Sequence, residues 1–90
     1  MLKSQIKVVN QLGLHARAAA QLVRLASGFK SRVTLRRIDN NVIADAKSIL
    51  SVLTLAAPKG MQLEVEIEGV DEASALQAVE GIFANGFGEM

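Results

Sequence analysis

Residues 10–28 read NQLGLHARAAAQLVRLASG, and this stretch predicts a loop followed by a helix. Its first four residues are typical of a turn or loop. From Ala16 to Ser27, apolar residues recur at the i, i+3, i+4 and i+7 spacing of an amphipathic helix. These residues are Ala19, Leu22, Val23 and Ala26. Gly28 follows, and we expect it to end the helix in the left-handed conformation.

Strand patterns and further helical patterns lie on both sides of this helix. Strand-like runs, with alternating apolar and polar residues or β-branched enrichment, are residues 2–9, 31–38, 42–45 and 61–69. The DNN sequence at residues 39–41 predicts a hairpin turn. Helical patterns are residues 47–57 and 71–87. Asp71 is expected to cap the last of these helices.

The resulting order, β-α-β-β-α-β-α, predicts an α+β fold. Strands with one polar face favour an antiparallel sheet, and helices would cover the apolar face. We therefore predict an open-faced β-sandwich, a four-stranded antiparallel sheet covered on one face by three helices. With 90 residues and no linker or repeat, the chain is expected to be a single domain, residues 1–90.

The composition excludes several classes of protein. The chain has no cysteine and a single histidine, so neither a disulfide framework nor a thiolate zinc site can form, and we predict no metal and no cofactor. No paired carboxylates or glycine-rich phosphate loop complete a catalytic site, so we do not expect an enzyme with its own turnover. No leader peptide or membrane-spanning run is visible, which predicts a cytoplasmic protein without membrane insertion.

Charge is distributed unevenly along the chain. Residues 1–38 contain eight basic side chains and no acid, whereas residues 39–90 contain two basic and nine acidic ones. Either the fold keeps this separation and one surface attracts an acidic partner, or the chain folds back and interleaves the charges. Both alternatives are open at this point.

A basic run around the second strand raises the question of nucleic acid. Its members are Lys30, Arg32, Arg36 and Arg37. RNA-binding modules with a similar element order stack bases on strand aromatics, and this run has none. We therefore predict no nucleic-acid partner and expect the three arginines of this run to line the open face of the sheet.

His15 lies directly before the first predicted helix. The free amides and the positive dipole at a helix N-terminus form an anion site, to which Ala16 and Arg17 would contribute. Arg17 adds a charged fork suited to phosphate oxygens, and Gly13 would allow a positive φ. This arrangement suits a histidine that carries a phosphoryl group, because the dipole keeps the ring neutral and nucleophilic. The alternative is an incidental capping residue.

Two motifs, GLHARAAAQLV at residues 13–23 and AKSILSVLTLAAPKG at residues 46–60, resemble the histidine-containing phosphocarrier protein (HPr) family of the bacterial phosphotransferase system. The resemblance covers the full length. It implies that His15 accepts a phosphoryl group on Nδ1 from enzyme I and passes it to a histidine of an enzyme IIA, with Arg17 stabilising the charge. It also implies that Ser48 is a candidate target of a regulatory serine kinase or phosphorylase.

Ala18 departs from the family pattern. Most members of the sugar branch have proline after the arginine, whereas the HARAAA form is more similar to the nitrogen-related branch. This difference leaves the carrier chemistry intact and leaves open whether the pathway is sugar transport or nitrogen regulation.

The second predicted helix contains more apolar residues than one buried face needs. Val52, Leu55 and Ala56 form one stripe; Ile49, Leu50 and Leu53 form another. Because the latter stripe adjoins Ser48, we predict that it docks the partner, together with Ala20 and Arg24 on the first helix. The alternatives are a helix that is buried all round and an ordinary solvated arginine.

Two functions from different classes follow. The first is a monomeric phosphocarrier that depends on His15. The second is a regulatory interaction module with the same fold, which docks through the second helix and is controlled at Ser48. Replacing His15 with alanine would abolish the first function and spare the second.

Overall fold

The computed structural model describes residues 1–89 and confirms the predicted architecture. Its strands are β1 (Leu2–Lys7), β2 (Arg32–Arg37), β3 (Ile43–Asp45) and β4 (Gln62–Glu68). Its helices are α1 (Ala16–Ser27), α2 (Ile49–Thr54) and α3 (Glu72–Ala84), followed by a 3₁₀ turn at Gly86–Gly88. The strands form one antiparallel sheet in the order β1-β4-β2-β3. Within residues 1–89, no helix is long and apolar enough to cross a bilayer.

The sheet has one apolar and one polar face because apolar residues alternate along each strand. Buried residues of the apolar face include Ile6, Val33, Leu35, Leu63, Val65 and Ile67. The three helices cover this face, with α1 packed against both α2 and α3. Their fully buried contributions include Leu22, Val52, Val79 and Phe83. The buried core is mostly aliphatic, with Phe83 and Phe87 as its aromatic members.

The polar face of the sheet interleaves basic and acidic residues. Arg36 pairs with Glu64 across the β2–β4 ladder at 3.2 Å, and Arg32 lies opposite Glu68 in the same ladder. The fold therefore brings basic residues of the first half beside acids of the second half, as the second of the two charge alternatives requires. Cross-strand pairs of this kind add modest stability.

Arg37 is not on the open face, and the prediction for this residue was wrong. Odd-numbered residues of β2 face the helices, so its side chain reaches the end of α2 and donates to the Leu55 carbonyl oxygen at 2.7 Å. The same guanidinium pairs with Asp39, which raises the pKa of Arg37 and lowers that of Asp39. Lys30 precedes β2 and therefore lies outside the sheet.

Gly28 and Asp71 occupy the predicted cap positions of α1 and α3, but neither residue caps its helix in the predicted way. Gly28 adopts right-handed φ and ψ of −76° and −8°, because the chain continues into another tight turn in which the Phe29 amide donates to the Ala26 carbonyl oxygen. Asp71 makes no side-chain bond to its own helix. Its carboxylate instead accepts from the Lys30 amide and from the amide and hydroxyl of Ser31, and the Ser31 hydroxyl is the main cause that lowers the pKa of Asp71.

Candidate functional site

His15 is the N-cap residue of α1. Its backbone is extended, with φ −76° and ψ 179°, and its carbonyl oxygen accepts the first helical hydrogen bond from Ala19 at 2.8 Å. The imidazole Nδ1 accepts from the Arg17 amide at 3.2 Å. A histidine ring thus occupies the capping position usually filled by serine, threonine, aspartate or asparagine. The side chain is 25% exposed, so a partner can reach it.

The loop before α1 holds this ring in place. Gly13 has a φ of +68°, in the left-handed region that the sequence anticipated. Its carbonyl oxygen accepts from the buried side-chain amide of Asn10 at 2.8 Å, and the next residue, Leu14, donates to the Ala57 carbonyl oxygen at 2.9 Å. The loop is therefore anchored both within itself and to the segment that follows α2.

Sequence reasoning missed Glu89, which closes the other side of the ring. Its Oε2 lies 2.5 Å from His15 Nε2, and its Oε1 accepts from Asn10 Nδ2 at 2.9 Å. The Asn10 bond is the main cause that lowers the pKa of Glu89, and the hydrogen bond with His15 and the charge of Arg17 lower it further. The contact spans 74 positions of sequence, so no local pattern could indicate it.

The two hydrogen bonds of the ring fit one neutral tautomer. Nδ1 accepts from an amide and therefore has no hydrogen, whereas Nε2 donates its hydrogen to a carboxylate. The ring consequently holds an electron pair on Nδ1, which accepts from the Arg17 amide at the positive end of α1.

Ala16 and Arg17 follow His15 at the N-terminus of α1. Ala16 is the first residue of α1, and both side chains are exposed. The Arg17 amide already contacts the ring, and its guanidinium lies near enough to Glu89 to lower the pKa of that carboxyl. The structure thus brings together His15, Ala16 and Arg17, as the sequence predicted.

Ser48 is the N-cap residue of α2. Its Oγ accepts from the Ser51 amide at 3.3 Å, and the side chain is half-buried. The capping role explains a serine here without any regulatory function. No hydrogen bond joins Ser48 to His15 in the part of the chain that the structure describes.

The predicted docking residues differ in their exposure. Ile49 and Leu50 are 39% and 75% exposed, so α2 is not buried all round. Leu53 is only half-buried and packs against the core. Ala56, assigned to the buried stripe, is exposed with a φ of +47°, because α2 ends at Thr54. That assignment was wrong.

On α1, Ala20 is half-buried and Arg24 is exposed. Arg24 borders a shallow groove that it shares with Gln21, Leu25 and Ile82 of α3. It therefore lies on a part of the surface that also includes α3.

Comparison with known proteins places this arrangement in a class. The family described as "PTS HPr component phosphorylation site" matches residues 2–85. The phosphocarrier protein HPr of Xylella fastidiosa (strain Temecula1) is 46% identical, with 99% of this chain and 98% of the relative covered. The phosphocarrier protein NPr of Escherichia coli (strain K12) is 42% identical, with coverage of 98% and 97%.

Among solved structures, a crystal structure of HPr from Thermoanaerobacter tengcongensis superposes with a TM-score of 0.94 at 34% identity, covering 100% of this chain and 99% of that one. An open-faced sandwich with a histidine at the start of its first helix is thus the architecture of a phosphocarrier protein. The chain belongs to the HPr family of the phosphotransferase system.

Proposed function

We propose that His15 accepts a phosphoryl group from enzyme I and passes it to a histidine of an enzyme IIA. The single observation that supports this most directly is the Nδ1 electron pair of His15, which faces the Arg17 amide at the N-terminus of α1. Family membership supports the same role. The chain acts in this scheme as a monomeric cytoplasmic carrier without a cofactor.

Transfer is an exchange of one nitrogen–phosphorus bond for another. The Nδ1 electron pair of His15 attacks the phosphorus of the donor's phosphohistidine, and the electron pair of the breaking bond returns to the donor nitrogen. The Arg17 amide releases Nδ1 for this attack and can then donate to a phosphoryl oxygen. The helix dipole and the Arg17 guanidinium offset a phosphoryl charge of about −1.5 to −2. Delivery to an enzyme IIA reverses these events.

The partners dock, in this proposal, on the surface formed by α1 and α2, which pack against each other. Ile49, Leu50 and Leu53 supply apolar contact, and Leu50 is the most exposed of them. Ala20 allows close approach of a partner, while Arg24 pairs with acids at its rim. Exposed apolar side chains grouped in one patch are typical of a protein interface.

The pathway is not decided by similarity, because both HPr and NPr relatives match over nearly the whole chain. Ala18 is fully buried in α1, so it acts on the packing of the helix start and has no direct contact with a partner. Sugar transport and nitrogen regulation are therefore two versions of the same proposal. They differ only in which enzyme IIA receives the phosphoryl group.

The first test is the intact mass of the protein after incubation with phosphoenolpyruvate and enzyme I. We expect one added phosphoryl group that is lost in acid, as a phosphohistidine is and a phosphoserine is not. The phosphorylated protein should then be mixed in separate reactions with an enzyme IIA of the sugar type and with one of the nitrogen type. We expect one of the two enzymes to remove the phosphoryl group. An acid-stable phosphoryl group on the protein would contradict the proposal. So would the absence of any phosphoryl group in a reaction where the same enzyme I phosphorylates another carrier.

A second candidate function is regulation through Ser48, favoured by its position two residues before the exposed Leu50. A phosphoryl group on this hydroxyl, delivered by a serine kinase and removed by a phosphorylase, would place negative charge on the docking surface. Partners that are acidic at this surface would then bind less tightly.

The charge effect at Ser48 can be separated from the capping effect. Aspartate and asparagine both cap a helix as well as serine does, and only aspartate adds charge. We expect Ser48→Asp to raise the KM of enzyme I for this protein about tenfold, since like charges oppose docking, with Ser48→Asn close to wild type. Equal KM values for the two variants would rule out electrostatic control at this position.

A further inference from the structure

An arginine at the end of β2 binds the turn that follows α2, and the loop before His15 lies against the same turn. We propose that Arg37 is a positioning residue for phosphoryl transfer, whose guanidinium holds the turn at Ala56 and, through that turn, the loop that carries His15. This inference rests on the proposed role of His15 as the phosphoryl acceptor.

The turn after α2 has an unfavourable backbone conformation. The helix ends at Thr54, Leu55 is its C-cap residue, and Ala56 follows with a φ of +47°. Many helices end with one left-handed residue at this position, and it is usually glycine because glycine has no Cβ. An alanine in this conformation is destabilising. The turn therefore depends on contacts from elsewhere in the chain.

Arg37 supplies such a contact. Its Nη1 donates to the Leu55 carbonyl oxygen at 2.7 Å and lies 3.5 Å from the Ala56 carbonyl oxygen. A basic side chain near a helix C-terminus stabilises the carbonyl groups that have no partner within the helix. Arg37 belongs to β2, 18 positions before Leu55, so this bond joins the sheet to the end of α2.

Asp39 fixes the guanidinium in the orientation that reaches the turn. Arg37 donates from Nε to one carboxylate oxygen at 2.9 Å and from Nη2 to the other at 2.7 Å. Two parallel bonds of this kind are stronger and more directional than one. Only 16% of the Arg37 side chain is exposed. The planar group is thus held by Asp39 on one side while Nη1 binds the end of α2 on the other.

The loop that carries His15 lies directly on this turn. The Ala57 carbonyl oxygen accepts from the Leu14 amide at 2.9 Å, and a Cβ at Gly13 would lie only 2.5 Å from the same oxygen. Gly13 and Leu14 are both buried and immediately precede His15. Because Ala56 precedes Ala57 in the chain, its backbone angles determine where this carbonyl oxygen lies. A change at Ala56 therefore moves the residues before His15.

The position of His15 matters because phosphoryl transfer depends mainly on the alignment of the attacking atom with phosphorus. Small displacements of a reacting group lower the rate of such a step considerably. The exposed residues Ile49 and Leu50 lie at the opposite end of α2 from Ala56. Loss of the Arg37 contact should therefore lower kcat for phosphorylation while KM stays close to that of wild type.

Four variants separate the contact from its side effects. Arg37→Met keeps a long side chain and removes every donor, and Arg37→Met with Ala56→Gly also relieves the backbone of the turn. Asp39→Asn loosens the guanidinium without removing it and provides the test if Arg37→Met does not fold. Arg36→Met is the matched control, because it removes the same charge from the neighbouring residue, which pairs with Glu64 on the open face. Thermal unfolding would establish a temperature at which the variants are folded.

At that temperature, with phosphoenolpyruvate and enzyme I, we expect kcat to fall about tenfold in Arg37→Met and about threefold in Asp39→Asn. The double variant should recover most of the loss, because glycine adopts the left-handed conformation without support. Arg36→Met should match wild type. Wild-type kcat in Arg37→Met and Asp39→Asn would overturn the inference. An equal loss in Arg36→Met, or a loss that Ala56→Gly does not restore, would overturn it as well.

Hydrogen exchange of the Leu14 amide measures the same connection without enzyme I. This amide should exchange about tenfold faster in Arg37→Met than in wild type, relative to amides of β4 in the same protein, and should slow again in the double variant. A loss of global stability alone would accelerate both sets of amides. Unchanged relative exchange of Leu14 in Arg37→Met would overturn the inference and leave the proposed function intact. A wild type that takes up no phosphoryl group would overturn the proposed function and, with it, this role of Arg37.

Discussion

The His15→Ala variant is expected to take up no phosphoryl group from phosphoenolpyruvate and enzyme I. The chain has no second histidine and no cysteine, so no other side chain of similar nucleophilicity can replace the ring. Acceptance should fall below detection in intact mass, whereas the fold should persist. The side chain is partly exposed, and loss of its cap on the Arg17 amide costs about 1 kcal/mol.

His15→Asn is the matched control for this loss. Asparagine caps a helix well and cannot carry the phosphoryl group, so this variant separates the chemistry from the stability of α1. We expect it to be as stable as wild type in thermal unfolding. Its intact mass, like that of His15→Ala, should show no added phosphoryl group. An acid-labile phosphoryl group on either variant would contradict the assignment of His15. Partner binding that persists in both inert variants would favour the regulatory module.

Gly13→Ala is expected to destabilise the protein strongly. A Cβ at this position would lie 2.5 Å from the Ala57 carbonyl oxygen and 2.9 Å from Pro58 Cα, so backbone atoms would have to move. The φ of +68° adds the cost of a left-handed conformation for a residue with a side chain. Together these effects should lower the free energy of unfolding by about 3 kcal/mol or more, which is a shift of about 15 °C in Tm for a domain of this size.

Gly60→Ala separates the two causes. Gly60 also has a positive φ, +91°, but a Cβ there would meet no atom within 4 Å. Its variant should lose only the conformational part, about 1 kcal/mol. Thermal and denaturant unfolding of both variants measure the difference. If Gly13→Ala loses no more stability than Gly60→Ala, close packing of the loop against residues 57–58 does not hold the site together.

Much of the fold could be predicted from local pattern. Alternation in β1 and β4 indicated which residues face the core, and the spacing in α1 indicated Leu22 as a buried residue. These predictions succeeded because a period of two or 3.6 residues already determines which side of an element is apolar. The N-terminus of α1 was predictable for the same reason, and it put His15 next to Arg17.

Local pattern was less informative where an element ends or meets another part of the chain. Gly28 has the residue type of a left-handed cap, yet the following turn keeps it right-handed. Asp71 has the residue type of a helix cap, yet its carboxylate binds Ser31, 40 positions earlier. In both cases the residue type is compatible with more than one arrangement of its backbone or side chain. The tertiary structure selected among them.

By itself, the sequence determined the order of the elements, the apolar face of each and the position of the single histidine at a helix start, because all three depend on neighbours within a few residues. Only the tertiary structure decided the environment of that histidine. The Gly86–Gly88 turn, held by Phe87 on Phe83, carries Glu89 back across 74 positions to His15 Nε2. Packing of distant segments creates such a contact, and no periodicity in the chain encodes it.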